Sequence, residues 1–331
     1  MNETEKFDRL ARKVKFKRWL GTILLIVVLV PVVMIGFNFL TSRLVMRQSN
    51  QLMQQLSMRS EIMAPNIQIS DQQLADDNNQ HGKIVSHRYK EIDGYRIPWS
   101  SVEGRYTIFT NVVTISNVVD GAVDFNKKHR HIQETDYDRA TQTKIPLFYN
   151  NRYKYLKGDM PLDMPHELQQ VGKMSNYVAE VAVTFKKPLT YQQIKKILPQ
   201  GVSADWYWIG VDKDVNIEAI NNNYLGIQAF SDRGIKRLSN KDYADFRKSL
   251  LHAQDNHLTE SYTIDNGKPY KPAQYAAKYA KKYPTLAKAK FSGVILTGQS
   301  ENFKQLANAD WISASSVGAT IKRVPYIKPK Y

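Results

Sequence analysis

From Trp19 to Leu40 the chain runs 22 residues without a charge, WLGTILLIVVLVPVVMIGFNFL. As a helix this run reaches about 33 Å at about 1.5 Å per residue, enough for a hydrocarbon core of about 30 Å. Sixteen of its residues are Leu, Ile, Val, Met or Phe. The Leu, Ile, Val and Phe positions favour insertion by roughly 0.3–0.6 kcal/mol each, more than Pro31 and Asn38 take back. Pro31 predicts a kink, which a membrane span tolerates better than a soluble helix does. A cleaved signal peptide has an apolar region of about 7–15 residues closed by a small-residue site. Here the run is longer and passes into Thr41-Ser42-Arg43-Leu44-Val45 without such a site. The expectation is an uncleaved single anchor in membrane lipid, since no later run approaches its length.

The flanks set an expected orientation. Residues 1–18 carry Lys6, Arg9, Arg12, Lys13, Lys15, Lys17 and Arg18, whereas the twenty residues after the span carry Arg43, Arg47 and Arg59. Positive charge is retained on the cytoplasmic side, so the N-terminus is expected inside and residues 41–331 outside, in a single-pass protein of the cell membrane. Phe7, Leu10 and Val14 lie at helical spacing in the basic tail. They suit a helix lying on anionic lipid, or a docking peptide for a cytoplasmic partner.

Composition narrows the chemistry. The chain of 331 residues has no Cys, which excludes disulfide frameworks, thiolate zinc sites, iron–sulfur clusters and cysteine nucleophiles. Mean hydropathy is −0.47, incompatible with many membrane spans, and 42% hydrophobic residues exclude a mainly disordered chain. No G-x-S-x-G, G-x-x-x-x-G-K-[ST], H-E-x-x-H or G-x-G-x-x-G stands in the sequence, so no enzyme and no cofactor is expected.

Beyond the span, Leu44, Leu52, Leu56 and Met63 mark a helical stalk over residues 41–64, ended by Pro65; its Gln-rich face suits pairing with a second copy. Residues 65–170 read as a strand-rich first part of the ectodomain. It holds a short strand at Asn66–Ser70, a polar loop over Asp71–Gly82, and strands Ile84–Ile92 and Tyr95–Trp99 about an Asp93-Gly94 hairpin turn. A further strand covers Tyr106–Ile115, and residues 120–170 carry no clear pattern. Residues 171–331 alternate strands (Tyr177–Phe185, Val202–Val211, Tyr224–Phe230, Phe291–Thr297, Trp311–Ile321) with helices. Thr190 and Gln193 form a capping box for one helix, Asn240 is expected to cap a second, Pro272–Tyr283 is a third, and Ser300 is expected to cap Glu301–Asn308. The expected class is α+β, helices on one face of a sheet.

Three segments invite a binding reading. His129-Arg130-His131 with Glu134, Asp136 and Asp138 has ligand types for a metal, but Lys127, Lys128 and Arg130 oppose a cation, and a solvated basic loop is the default. Gly298-Gln299-Ser300 could offer backbone N–H groups to an anion, although a plain strand–helix connection has the same pattern. Residues 41–331 carry 40 basic and 28 acidic residues, a net +12. Lys278, Lys281, Lys282, Lys288 and Lys290 with Tyr275, Tyr279 and Tyr283 could bind an anionic cell-wall polymer; tyrosines at i, i+4, i+8 equally suit a packed helix face. Nucleic acid fits the charge but not the expected exported location.

The layout, with Gly82-Lys83-Ile84-Val85-Ser86-His87, YVAEVAVTFKKPLTYQQIKKIL and FSGVILTGQSENFKQLANADWISASSVGATIKRV, resembles the sigma factor regulator family of Gram-positive bacteria. The resemblance covers about residues 10–100 and 170–323. It implies a membrane-bound anti-sigma-like regulator of an extracytoplasmic-function sigma factor, acting directly or through a co-regulator subunit. Many anti-sigma factors grip their partner through an H-x-x-x-C-x-x-C helical domain. Residues 1–18 contain neither His nor Cys, and a helix of that length is about 27 Å at most.

Overall fold

The computed structural model describes residues 3–327 apart from 115–117, 127–130, 219, 221, 233–234, 256–257, 259 and 264–267. Its longest element is one helix, α1 (Glu3–Ile62), in which the expected tail, span and stalk are continuous. Pro31 lies inside it without ending it. The polar side chains around the span turn back on their own helix. Thr22 Oγ1 donates to the Arg18 carbonyl at 2.9 Å, Asn38 Nδ2 to Met34 at 3.0 Å, and Thr41 Oγ1 to Phe37 at 2.9 Å. These bonds mask groups that hydrocarbon could not solvate.

A four-stranded antiparallel meander follows, β1 (Ile67–Ala75), β2 (His81–Ile92), β3 (Tyr95–Thr107) and β4 (Asn111–Thr114), in the order β1-β2-β3-β4. Asp93 (φ 49°) and Gly94 (φ 91°) make the expected turn between β2 and β3; both dihedrals lie where a two-residue hairpin of this twist needs them. The polar stretch from Asp71 is not all loop. Backbone pairing carries β1 to Ala75 past a bulge between Ile69 and Asp71, so only residues 76–80 turn. The strand expected over Tyr106–Ile115 is interrupted: β3 ends at Thr107 and β4 begins at Asn111. In the unpatterned region β5 (Val118–Asn126) pairs with β6 (His131–Asp138). An extended segment then buries Ile145, Leu147, Phe148 and Tyr149.

The C-terminal region contains α2 (Leu168–Val171), β7 (Tyr177–Thr190), α3 (Tyr191–Ile197), β8 (Val202–Trp208), β9 (Gly226–Gln228), β10 (Phe230–Asp232), β11 (Ile235–Arg237), α4 (Asn240–Leu251), α5 (Pro272–Lys282), β12 (Lys290–Gln299), a 3-10 helix (Ser300–Leu306) and β13 (Ile312–Lys322). Five strands form one sheet in the order β13-β7-β12-β8-β9, every pair antiparallel. The architecture is α+β, as the mixed order of elements implies. Both faces are covered, and strand alternation divides the aromatics between them. Trp208 stacks on Phe148 at 4.8 Å on the face toward the first part of the ectodomain, whereas Tyr207 meets Tyr191 and Phe291 at 5.7 and 5.1 Å on the other. The Thr190–Gln193 capping box is present. The cap of α4 is Ser239, paired with Asp242 in a capping box, one residue before the expected Asn240. Ser300 does not cap a helix; its hydroxyl donates to the Met174 carbonyl at 3.1 Å.

Candidate functional site

The two parts of the ectodomain meet on the end of α1. Val45, Leu52 and Leu56 recur at spacings of seven and four, so they share one face, and they pack with Ile84, Val102 and Tyr106 of the meander. Gly104 permits the contact, because a Cβ there would stand 2.5 Å from Leu52 Cδ1. Asn111 Nδ2 donates to Gln48 Oε1 at 2.7 Å. One turn further along, Met58, Ile62 and Met63 enter the core of the five-stranded sheet. Arg59 pairs with Glu260, and the Ser249 hydroxyl of α4 donates to Glu61 at 2.9 Å. Burial raises the Glu61 carboxyl above its usual range; the Ser249 hydrogen bond opposes the rise and neighbouring Asp245 adds to it.

A charged seam joins the parts beside this helix end. Lys90 of β2 and Glu180 of β7 are completely buried, with Lys90 Nζ 3.0 and 2.8 Å from the two carboxylate oxygens. Asn66 Nδ2 donates to the same carboxylate at 2.8 Å, and Lys90 stands 4.1 Å from the Trp99 ring centre. Desolvation holds the Lys90 ammonium below its ordinary pKa, with Glu180 opposing. The next residue, Glu91, lies 3.8 Å from Lys236, which pairs with buried Asp205; Thr297 Oγ1 also donates to Asp205, at 2.7 Å. Burial pushes the Asp205 carboxyl up while Lys236 pulls it down. Charges this deep are tolerated only with their partners in place. Consecutive residues of β2 are thus tied to two strands of the other sheet. A groove of about 850 Å³ opens where α1, the meander and α4 converge, bordered by Ser57, Glu61, Arg96, Gln228, Phe230 and Asp245.

The residues singled out from sequence fall in different places. Every residue from 3 to 40 is exposed, including Phe7, Leu10 and Val14 in the tail and Trp19, Pro31 and Leu40 in the span. The tail continues the helix of the span without a break. The stalk markers Leu52, Leu56 and Met63 are buried by the chain's own strands, and Gln55 is buried beside them. The apolar stripe of the stalk therefore has its partner within the chain, while Gln54 of the Gln-rich face stays exposed.

Tyr275 and Tyr279 of α5 donate to the carbonyls of Ile209 and Lys290 at 3.1 and 3.0 Å, with Tyr279 buried. Lys278 pairs with Asp212 at 2.7 Å, while Lys281 and Lys282 stay exposed. His129 and Arg130 lie outside the described residues. His131 lies 3.7 Å from Asp163, and Asp138 accepts the backbone N–H groups of Ser100 and Thr141. Among the described residues no group of three His, Asp or Glu is placed to hold a metal. Gly298 packs against the Gly201 carbonyl, where a Cβ would approach to 2.5 Å.

Sequence reasoning passed over Lys90, Glu180, Asp205 and Arg59. The signal was there for two of them. Glu180 in YVAEVAVTF and Asp205 in VSADWYW are lone acids in otherwise uncharged runs, a pattern that marks a buried, paired charge.

These features define a membrane-anchored type of protein: a long helical rod ending inside a two-part domain, with α1 as its one described helix long and apolar enough to cross a membrane. Two family models match, sigma factor regulator N-terminal over residues 8–97 and sigma factor regulator C-terminal over 170–319. The chain belongs to the sigma factor regulator family, and its role is regulatory and anti-sigma-factor-like. No curated protein and no solved structure matches it. The seam has a clear place in this division: Lys90 lies in the N-terminal family region and Glu180 in the C-terminal one.

Proposed function

We propose that residues 41–331 lie outside the cell and sense an envelope state or partner, and that α1 carries the result to the tail, residues 1–18, which modulates an extracytoplasmic-function sigma factor directly or through a partner subunit. The observation that carries this reading is the unbroken helix. One end is seated in the sheet core through Met58 and Ile62, and the other presents Phe7, Leu10 and Val14 with basic residues between them. The tail suits an amphipathic helix in an acidic groove of one partner surface, and is too short to wrap a sigma factor. Coupling requires two arrangements of the helix end that the signal favours unequally.

Deleting residues 2–18 should abolish the effect on the target promoter while the protein stays in the membrane; unchanged reporter expression rejects the reading. Orientation is checked with cysteines, since the natural chain has none. A membrane-impermeant maleimide should label Ser101→Cys and spare Asp8→Cys on intact cells. The second reading, an anchored binder of anionic polymer without signalling, draws on exposed Lys281 and Lys282. It predicts salt-sensitive teichoic acid binding with no effect of the tail deletion.

A further inference from the structure

The turn between β3 and β4 lies beside Gln48 of α1, at the end of the meander nearest the span. Along α1 the ectodomain starts at once: Thr41, the residue after Leu40, is 4% exposed, and Val45 is 6% exposed. Strand β3 descends this helix toward the span, with Gly104 at the level of Leu52 and the carbonyl of Phe109 accepting from Gln48 Nε2 at 3.4 Å. Gln48 stands eight residues past Leu40, about 12 Å along the axis at about 1.5 Å per residue. The interfacial headgroup layer occupies about 5–8 Å of that distance, and the side chain together with a typical helix tilt of about 20° closes the rest.

The chemistry of the turn matches that layer. Ile108 packs inward on the stalk cluster, but Phe109 points away and is 82% exposed. Val112 and Met46 are also exposed, and Arg105, across the ladder from Val112, is exposed with Arg43 and Arg47 of α1. Exposed apolar side chains on the turn, with arginines at the neighbouring level of α1 and on β3, suit the boundary between acyl chains and phosphates. In water alone Phe109 would be an exposed apolar side chain at a turn tip that Thr107 and Thr110 hold by 2.8 Å backbone pairing.

We propose that the β3–β4 turn is a second membrane contact, with Phe109 and Val112 seated in the lipid interface beside the span and Arg43, Arg47 and Arg105 near lipid phosphates. The contact would fix the tilt and rotation of the ectodomain on its helix, and it does not depend on which side of the membrane the ectodomain occupies.

The test uses the full chain in vesicles of phosphatidylcholine and phosphatidylglycerol, with single spin labels on Phe109→Cys and Tyr326→Cys. Tyr326 is a matched control, 84% exposed and next to Ile327, whose carbonyl accepts from Tyr95 at the opposite end of the meander. The label at 109 should be protected from a water-soluble nickel chelate about threefold or more relative to 326, as befits a group sunk about 5–10 Å into the headgroup zone. Equal accessibility overturns the proposal. Because a label could itself insert, a second arm places it on Val112→Cys with and without Phe109→Asp. Phe109→Asp should return it to water, and unchanged accessibility again overturns the proposal.

Discussion

The two halves of α1 have the same backbone and opposite surroundings. Residues 3–40 are exposed all round, whereas from Thr41 to Ile62 one face is buried and Met46, Arg47 and Asn50 remain in solvent. The first half, through its span, is apolar on every side and needs hydrocarbon; the second has a stripe and needs a protein core. A single helix can thus occupy both environments without a joint between them, because hydrogen bonding within the helix is indifferent to what lies outside it.

Breaking the covers of the second half gives the largest expected effects. Lys90→Ala leaves Glu180 buried without its cation and should cost about 3–5 kcal/mol, measured by denaturant unfolding in detergent with tryptophan fluorescence. Leu52→Ala should cost about 2–5 kcal/mol by the same measurement. Leu25→Ala, at 62% exposure in the span, should move the transition by less than about 0.5 kcal/mol, since it touches no protein core. Equal losses for Leu52 and Leu25 would erase the distinction between the halves. Gly104→Ala pushes a methyl group against Leu52 and should cost about 1–3 kcal/mol, relieved in part by Leu52→Val.

The smallest effect is a pH dependence. The folded-state pKa of Glu61 is raised, so its contribution is fully present below the unfolded value near 4.5 and is lost as pH rises through the folded value. Glu61→Gln should flatten the stability profile across that window and leave it unchanged well below it.

Much of this was legible in residues that act locally. The Asp93-Gly94 turn, the Thr190–Gln193 box and the strand YVAEVAVTF each describe neighbours in the chain, and the structure contains them. What was missed depends on distant groups. Asp71 to Ala75 looks like loop because it is polar, yet β2 supplies the hydrogen bonds that make it strand. Ser239 and Asn240 are both good caps, and the Asp242 carboxylate bonding back to the Ser239 N–H decided between them. The tyrosines of α5 carry the same spacing whether they face a polymer or a sheet; the carbonyls of Ile209 and Lys290 settled their direction.

By itself the sequence determined the span, because removing 22 uncharged residues from water is a property of composition and length. It also determined most strands, since short apolar, β-branched and aromatic runs bounded by turn residues are written in neighbouring side chains. Only the tertiary structure decided that the stalk's apolar stripe is covered by its own chain, and that Lys90 meets Glu180. Both depend on contacts between residues far apart in sequence, where desolvation and pairing act together and no local pattern records the partner.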